Sequence, residues 1–288
     1  MRFERIAERL RRGVGQPSLV EDFKYHAREY TAVRSRSAGS TGMGCVQEAY
    51  REIEGGAILH DASLAHAARS EWFEADWWRA QGRLTGEAGG RGRVLFMRAP
   101  QGCGEGEWVL RRFERGGLVR TLVRRHYLWL GEGRNRGFAE WRLLARLHEA
   151  GLPVPRPVAA RYRRAGPGFY LAELITHRLP DNRTLRELYT DDEVPPDVWG
   201  RVGEVVRRMH DAGAFHPDLN AGNVLVTAEH EIYIVDFDQA RLRPPGRWQA
   251  RNLARLKRSL QKTAVQGGRD ALLPSHWQAL LAGYGQQG

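Results

Sequence analysis

Three polar side chains in F-H-P-D-L-N-A-G-N-V-L-V-T-A-E-H-E-I-Y-I-V-D-F-D-Q (215–239) stand in an order that suits one kind of chemistry. Asp218 follows His216 on a loop, Asn223 closes that loop, and Asp236 comes after two short apolar runs. Moving a phosphoryl group asks little covalent work of a protein, so catalysis is positioning and neutralisation of phosphate charge. One carboxylate must face the acceptor hydroxyl, and oxygen ligands must face a metal ion. The loop presents Asp218 and Asn223. The runs V-L-V-T (224–227) and I-Y-I-V (232–235), joined by A-E-H-E, predict a hairpin that returns Asp236 to the same metal. Mg²⁺ prefers a few carboxylate or carbonyl oxygens beside phosphate and water, which Asn223 and Asp236 supply. The plainer alternative makes His216-Pro217-Asp218 a turn and Asp236 a strand end. Three polar positions in this order around a hairpin argue against it.

The elements that position these groups are also readable. Residues 83–115 predict three strands with glycine-rich turns. Gly89, Gly90 and Gly92 in the first turn are assigned to the nucleotide phosphates, since glycine lets backbone N–H groups approach an anion closely. The turn from Gly102 to Gly106 competes for that role, and a plain hairpin turn remains an alternative for both. The third strand has no lysine. Its period of two puts Val109 and Arg111 on one face and Leu110 and Arg112 on the other. Arg111 is the choice for the α/β-phosphates, although its fork differs from the point charge of lysine. A helix is predicted over 138–150, stopped by Gly151, Pro153 and Pro155, with Glu140 early in it, either orienting Arg111 or forming a surface ion pair within the helix. Residues 169–175 predict a strand whose backbone from Glu173 to Ile175 reads adenine. Short and long helices follow at 184–190 and 197–211, the latter feeding the loop. Another, over 248–264, carries Leu253, Leu256 and Leu260 on one face and Arg251, Arg255, Arg258 and Lys262 on the other. That basic stripe suits a phosphorylated acceptor or a membrane surface, and a merely solvated face is the alternative.

The chain has 288 residues, a net charge of +11 and 42% hydrophobic residues, so it can bury a substantial core. Arginine carries almost all the positive charge, with lysine only at Lys24, Lys257 and Lys262. That balance favours an anionic partner. No nucleic-acid motif accompanies it, so nucleic acid is not expected. Cys45 and Cys103 are in no C-x-x-C, so neither a disulfide framework nor a zinc site is expected, and a reducing compartment is. The charged opening excludes a signal-peptide core, and no apolar run approaches the ~20 residues of a membrane span. Residues 1–54 read as a disordered extension, and Trp72, Phe73, Trp77 and Trp78 as packing between neighbouring elements, with a membrane anchor as the alternative.

The order H-x-D-x-x-x-x-N then D-F-x resembles protein kinases, which carry a basic residue after Asp-Leu and Gly in the third D-F-G position. Here those positions are Asn220 and Asp238. A closer resemblance, over about residues 55–265, is to the lipopolysaccharide inner-core kinase family that includes the 3-deoxy-D-manno-octulosonic acid (Kdo) kinases. It rests on G-G-A-I-L-H-D-A-S-L (55–64), V-L-R-R-F-E-R-G-G-L-V-R (109–120), Y-L-W-L-G (127–131), F-A-E-W-R-L-L-A-R-L-H-E-A-G-L-P-V-P-R-P (138–157), H-P-D-L-N-A-G-N-V-L (216–225) and D-F-D-Q-A (236–240). The resemblance implies an α+β, two-lobed protein-kinase-like fold. Residues 55–175 would form an antiparallel-sheet N-lobe and 176–288 a mainly helical C-lobe. It further implies ATP and Mg²⁺, with Kdo-lipid IVA phosphorylated on the Kdo 4-hydroxyl by a peripheral protein on the cytoplasmic face of the inner membrane. Asp218 and His216 are then the catalytic-loop residues, His216 as a support by hydrogen bonding. Another small-molecule kinase shares this site, and a nucleotide-binding pseudokinase scaffold draws support from the missing lysine.

Overall fold

The computed structural model describes residues 45–64, 66, 68–89, 94–103, 106–113, 126–179 and 181–285. They belong to one compact unit. Eight strands come first: β1 (Glu48–Ile53), β2 (Gly56–Asp61), β3 (Leu84–Ala88), β4 (Val94–Arg98), β5 (Glu107–Arg112), β6 (Tyr127–Leu128), β7 (Pro157–Arg164) and β8 (Phe169–His177). They pair antiparallel in the order β1-β2-β7-β8-β5-β4-β3, with β6 beside β8. Two helices are inserted, α1 (Ala75–Ala80) and α2 (Arg136–Glu149). The rest is mainly helical: α3 (Leu185–Thr190), α4 (Pro196–Asp211), α5 (Trp248–Gln266) and α6 (Pro274–Gly285). Short strands β9 (Asn182–Thr184), β10 (Ala214–Phe215), β11 (Val224–Thr227), β12 (Ile232–Ile234) and β13 (Arg241–Leu242) lie among them. This is the α+β arrangement expected, a sheet-rich half followed by a helix-rich half.

Alternation of side chains along the strands divides the sheet's burial between its faces. On one face Trp108, Leu110 and Ile175 pack with Trp72, Phe73 and Trp78. The aromatic cluster is therefore core packing, and the membrane-anchor alternative fails for these buried rings. On the other face α2 lays Phe138, Trp141, Leu144 and Leu147 into a core that continues through α4 and α5. Asn135 caps α2, its side chain accepting from the Phe138 N–H at 3.1 Å. Helices α4 and α6 cross at glycines: a Cβ on Gly203 would stand 2.0 Å from the Leu280 carbonyl oxygen, and one on Gly283 2.0 Å from that of Gly200.

Two boundaries differ from the sequence reading. β1 lies inside the segment 1–54, where E-A-Y-R-E-I offers little apolar pattern and pairing with β2 supplies the order. The division placed between 175 and 176 falls inside β8, which runs on to His177.

Candidate active site

The loop after β10 is held by hydrogen bonds from every side. The buried His216 imidazole accepts from the Asp218 N–H through Nδ1 at 3.2 Å and donates through Nε2 to the Val235 carbonyl at 3.1 Å. Both ring nitrogens are thus used by one neutral tautomer, and burial pushes its titration below the usual range. In this arrangement His216 supports the loop by hydrogen bonding. Asn223 donates from Nδ2 to the Asp218 carbonyl at 2.9 Å, which leaves its Oδ1 as an acceptor. Val235 N–H donates to the Asn223 carbonyl at 3.0 Å, so the β11–β12 hairpin brings Asp236 beside Asn223. Asp236 has φ +67°, the left-handed region, a strained conformation of the kind retained at functional positions.

Arg111 meets this group from β5. Its Nη2 donates to both Glu140 oxygens, at 2.6 and 2.5 Å, and its Nη1 to Asp236 Oδ1 at 2.5 Å. The Glu140 side chain is 3% exposed and that of Arg111 28%. Burial pushes the Glu140 carboxyl up, to about 7, against the pull of Arg111. Arg112 points to the opposite face and bonds Glu173 at 3.1 Å and the Phe73 carbonyl at 3.0 Å. Of the two arginines, Arg111 is the one that meets Asp236 and Glu140 and lines the cavity described next.

A cavity of about 970 Å³ opens between the sheet and the hairpin, lined by Val109, Arg111, Leu174 and Thr176 on one side and Leu225 and Asp236 on the other. Its size and apolar walls suit a nucleotide-sized ligand. Register also separates the two glycine runs. Ala88 pairs with Val94 and Val94 with Arg111, so Gly89, next after β3, lies at the Arg111 end of the meander. Arg98 pairs with Glu107, which puts the Gly102–Gly106 turn at the far end. Gly90 and Gly92 lie outside the described residues.

The adenine assignment needs correcting. β8 is flanked by β5 and β7, and Glu173, Leu174 and Ile175 have partners on both sides. Their backbone groups are consumed by the sheet. The Glu173 carboxylate is buried against Arg112 and Arg161, and Ile175 belongs to the aromatic cluster. Of these three residues only Leu174 lines the cavity, which runs on along Thr176 to Leu179.

Sequence reasoning missed what stands behind the loop. Asn252 on α5 holds the His216 backbone twice, accepting from N–H at 3.3 Å and donating to C=O at 2.9 Å. Ser259 Oγ accepts from the Ala221 N–H at 3.1 Å, and the Arg255 guanidinium pairs with Asp218 Oδ1. Residues 252, 255 and 259 share one helical face. Arg136, opening α2, also grips Asp238 through two bonds, at 2.9 and 2.5 Å. The hydrophilic character of these side chains hid them, although their i, i+3, i+7 spacing was available.

Among the described residues no cluster of three or more His, Cys, Asp or Glu could hold a metal. Mg²⁺ takes one or two protein oxygens and draws the rest from phosphate and water. Asn223 and Asp236 offer such oxygens, so the donor set suits the ion.

The model of the Lipopolysaccharide kinase (Kdo/WaaP) family matches residues 75–284. The chain belongs to this family. It is 38% identical over 219 residues to the 3-deoxy-D-manno-octulosonic acid kinase of Actinobacillus succinogenes, covering 75% of this chain and 90% of the relative. It is 43% identical over 215 residues to that of Xanthomonas axonopodis pv. citri, covering 74% and 84%. Among solved structures, WaaP in complex with acyl carrier protein matches with a TM-score of 0.48 and 20% identity, covering 74% of this chain and 84% of that one. This member of the lipopolysaccharide kinase family is a phosphotransferase that acts on an alcohol group. Among its described residues no helix is long and apolar enough to cross a membrane.

Proposed function

We propose that this kinase transfers the γ-phosphoryl group of ATP to the 4-hydroxyl of the Kdo residue on Kdo-lipid IVA, working at the cytoplasmic face of the inner membrane. The observation that carries the reading is that Arg111, Glu140 and Asp236 line one nucleotide-sized cavity, while Asn223 ties Asp236 to the Asp218 loop through the hydrogen bonds described above. The relatives named as Kdo kinases support the acceptor.

Asn223 and Asp236 would hold Mg²⁺, which when bound neutralises phosphate charge. Arg111, fixed by Glu140, presents its guanidinium to the α/β-phosphates. The backbone at Gly89 approaches the phosphates from the end of the sheet where Arg111 stands. Asp218 orients the sugar hydroxyl for in-line attack and accepts its proton. Arg251, Arg258 and Lys262 on the exposed side of α5 offer cations to the phosphates of the acceptor and to an anionic membrane surface.

The test is incubation with γ-labelled ATP, Mg²⁺ and Kdo-lipid IVA. Label enters the lipid, and Asp218→Ala lowers turnover by ~10²–10⁴-fold while ATP binding persists. ATP binding without transfer to this lipid sinks the acceptor assignment. Wild-type turnover in Asp218→Ala removes Asp218 from the mechanism.

A further inference from the structure

The catalytic loop contains no cation of its own. H-P-D-L-N-A-G-N-V (216–224) has neither lysine nor arginine, and Asn220 stands where protein kinases have a basic residue. The Asn220 side chain is committed to the loop itself: Oδ1 accepts from Gly222 N–H at 2.8 Å and from Arg186 at 3.0 Å, and Nδ2 donates to the Asp218 carbonyl at 2.8 Å. Phosphoryl transfer nevertheless spreads negative charge over the equatorial oxygens of the moving group, here beside the anionic Asp218. That charge calls for a cation on the acceptor side, away from Arg111, which Glu140 and Asp236 hold at the side assigned to the α/β-phosphates.

We propose that Arg255 of α5 is that cation: it holds Asp218 through Oδ1 and presents the rest of its guanidinium to the transferring phosphoryl group. The inference rests on the phosphotransfer reading above, but not on the identity of the acceptor. Nε and Nη2 both donate to Oδ1, Nε at 3.2 Å, and the two side chains are 45% and 51% exposed. An exposed ion pair by itself is worth little. This one is aimed, because Asn252 and Ser259 on the same helical face clamp His216 and Ala221 at either side of Asp218. The helix thus fixes where the guanidinium stands. Among the described residues Asp218 Oδ2 and Arg255 Nη1 make no hydrogen bond, so the pair keeps an acceptor for the hydroxyl and a donor for the phosphoryl oxygens. In the step, the hydroxyl oxygen bonds to the γ-phosphorus. The bond from that phosphorus to the β,γ-bridging oxygen breaks with its electron pair going to ADP, and the hydroxyl proton passes to Asp218.

A planar mimic of the moving group tests this without any acceptor. Binding of ADP–Mg²⁺ is titrated with and without aluminium fluoride, in wild type, Arg255→Ala, Arg255→Lys and Lys257→Ala, with melting temperatures alongside. Wild type binds the fluoride complex more tightly than ADP alone, as transition-state mimics do. Arg255→Ala keeps its affinity for ADP and loses ~10²-fold of the fluoride-dependent gain, the scale of one charge-stabilising donor. Arg255→Lys keeps part of the gain, and Lys257→Ala, which removes another exposed cation of α5, keeps all of it. Retention of the full gain in Arg255→Ala overturns the proposal, and so does an equal loss for ADP and its fluoride complex, which marks a structural role. If wild type shows no gain, the phosphotransfer reading itself fails and takes the proposal with it.

Discussion

Replacing Arg111 by alanine leaves Glu140 as a buried carboxylate with its partner removed. Glu140 is 3% exposed and accepts bonds of 2.6 and 2.5 Å from Arg111. Breaking such a pair from one side costs about 3–5 kcal/mol when the remaining group is ionised. Asp236 adds little, since its side chain is 40% exposed and water replaces the guanidinium. The loss depends on pH. Burial already raises the Glu140 carboxyl from 4.5 to about 7, and Arg111 opposes the rise, so the variant's value lies higher still. Below the wild-type value Glu140 is protonated in both folded proteins, and the deficit is limited to the lost hydrogen bonds, about 1.5–3 kcal/mol. Above it wild-type Glu140 ionises while the folded variant retains the proton. The folded variant then binds more protons than its unfolded chain, so raising the pH destabilises it further, by up to ~1.4 kcal/mol per unit. The assay is urea unfolding without nucleotide from about pH 6 to about pH 9, read as midpoint shifts at equal slope. The deficit should widen as pH climbs past about 7, and adding Glu140→Gln to Arg111→Ala should recover much of the alkaline loss. A deficit that is the same at every pH, or no recovery in the double variant, refutes the account of Glu140 as a buried charge held by Arg111.

Arg136→Ala and Asp238→Asn should be non-additive, with a coupling of ~0.5–3 kcal/mol in unfolding and a matching coupling in turnover. Additive losses would mean that the two bonds between them at 2.9 and 2.5 Å fasten nothing. Gly203→Ala should destabilise by ~1–3 kcal/mol or more, because its Cβ would meet the backbone of α6, Leu280 O at 2.0 Å and Tyr284 N at 2.6 Å. At ~2–4 °C per kcal/mol a melting scan resolves this, and an unchanged melting temperature would contradict the α4–α6 crossing.

The parts of the site that are local in sequence were legible. Asp218, Asn223 and Asp236 follow from a loop and a hairpin, and Arg111 from the period of a strand. What escaped reading depends on distant partners. Asn252, Arg255 and Ser259 are polar, so an amphipathic reading of α5 gives them to solvent, yet they face the loop. β7 went unread because Arg161, Arg163 and Arg164 look like surface. Arg161 is 1% exposed, and Glu173 and Glu74 neutralise it. Without β7, β8 loses a neighbour, and the backbone of Glu173 to Ile175 looks free to read adenine. That misplacement is one error of register and topology propagated. Gly102–Gly106 competed with Gly89–Gly92 for a similar reason: which end of a hairpin meets the site is a property of the sheet.

The aspartate in the third position of D-F-D gains a reason from the same geometry. In protein kinases the position of the helix bearing the Glu, and the order of the activation loop, switch the site on and off. Here α2 is tied down twice. Glu140 holds Arg111, which holds Asp236, and Arg136 at the helix start holds Asp238 two residues further on. β5, α2 and the 236–238 turn therefore form a closed ring of ion pairs, and glycine at 238 would open it. The turn is strained, with Asp236 and Gln239 at φ +67° and +60°, so it needs such a fastening to persist. After it the chain makes only β13 before α5 begins at Trp248, which leaves no room for a long activation segment. The Arg136–Asp238 bonds do locally what an ordered activation loop does at longer range: they keep Glu140 turned toward Arg111. In this structure Glu140 and Asp238 are thus both held, and Arg111 and Asp236 stand together at the cavity wall.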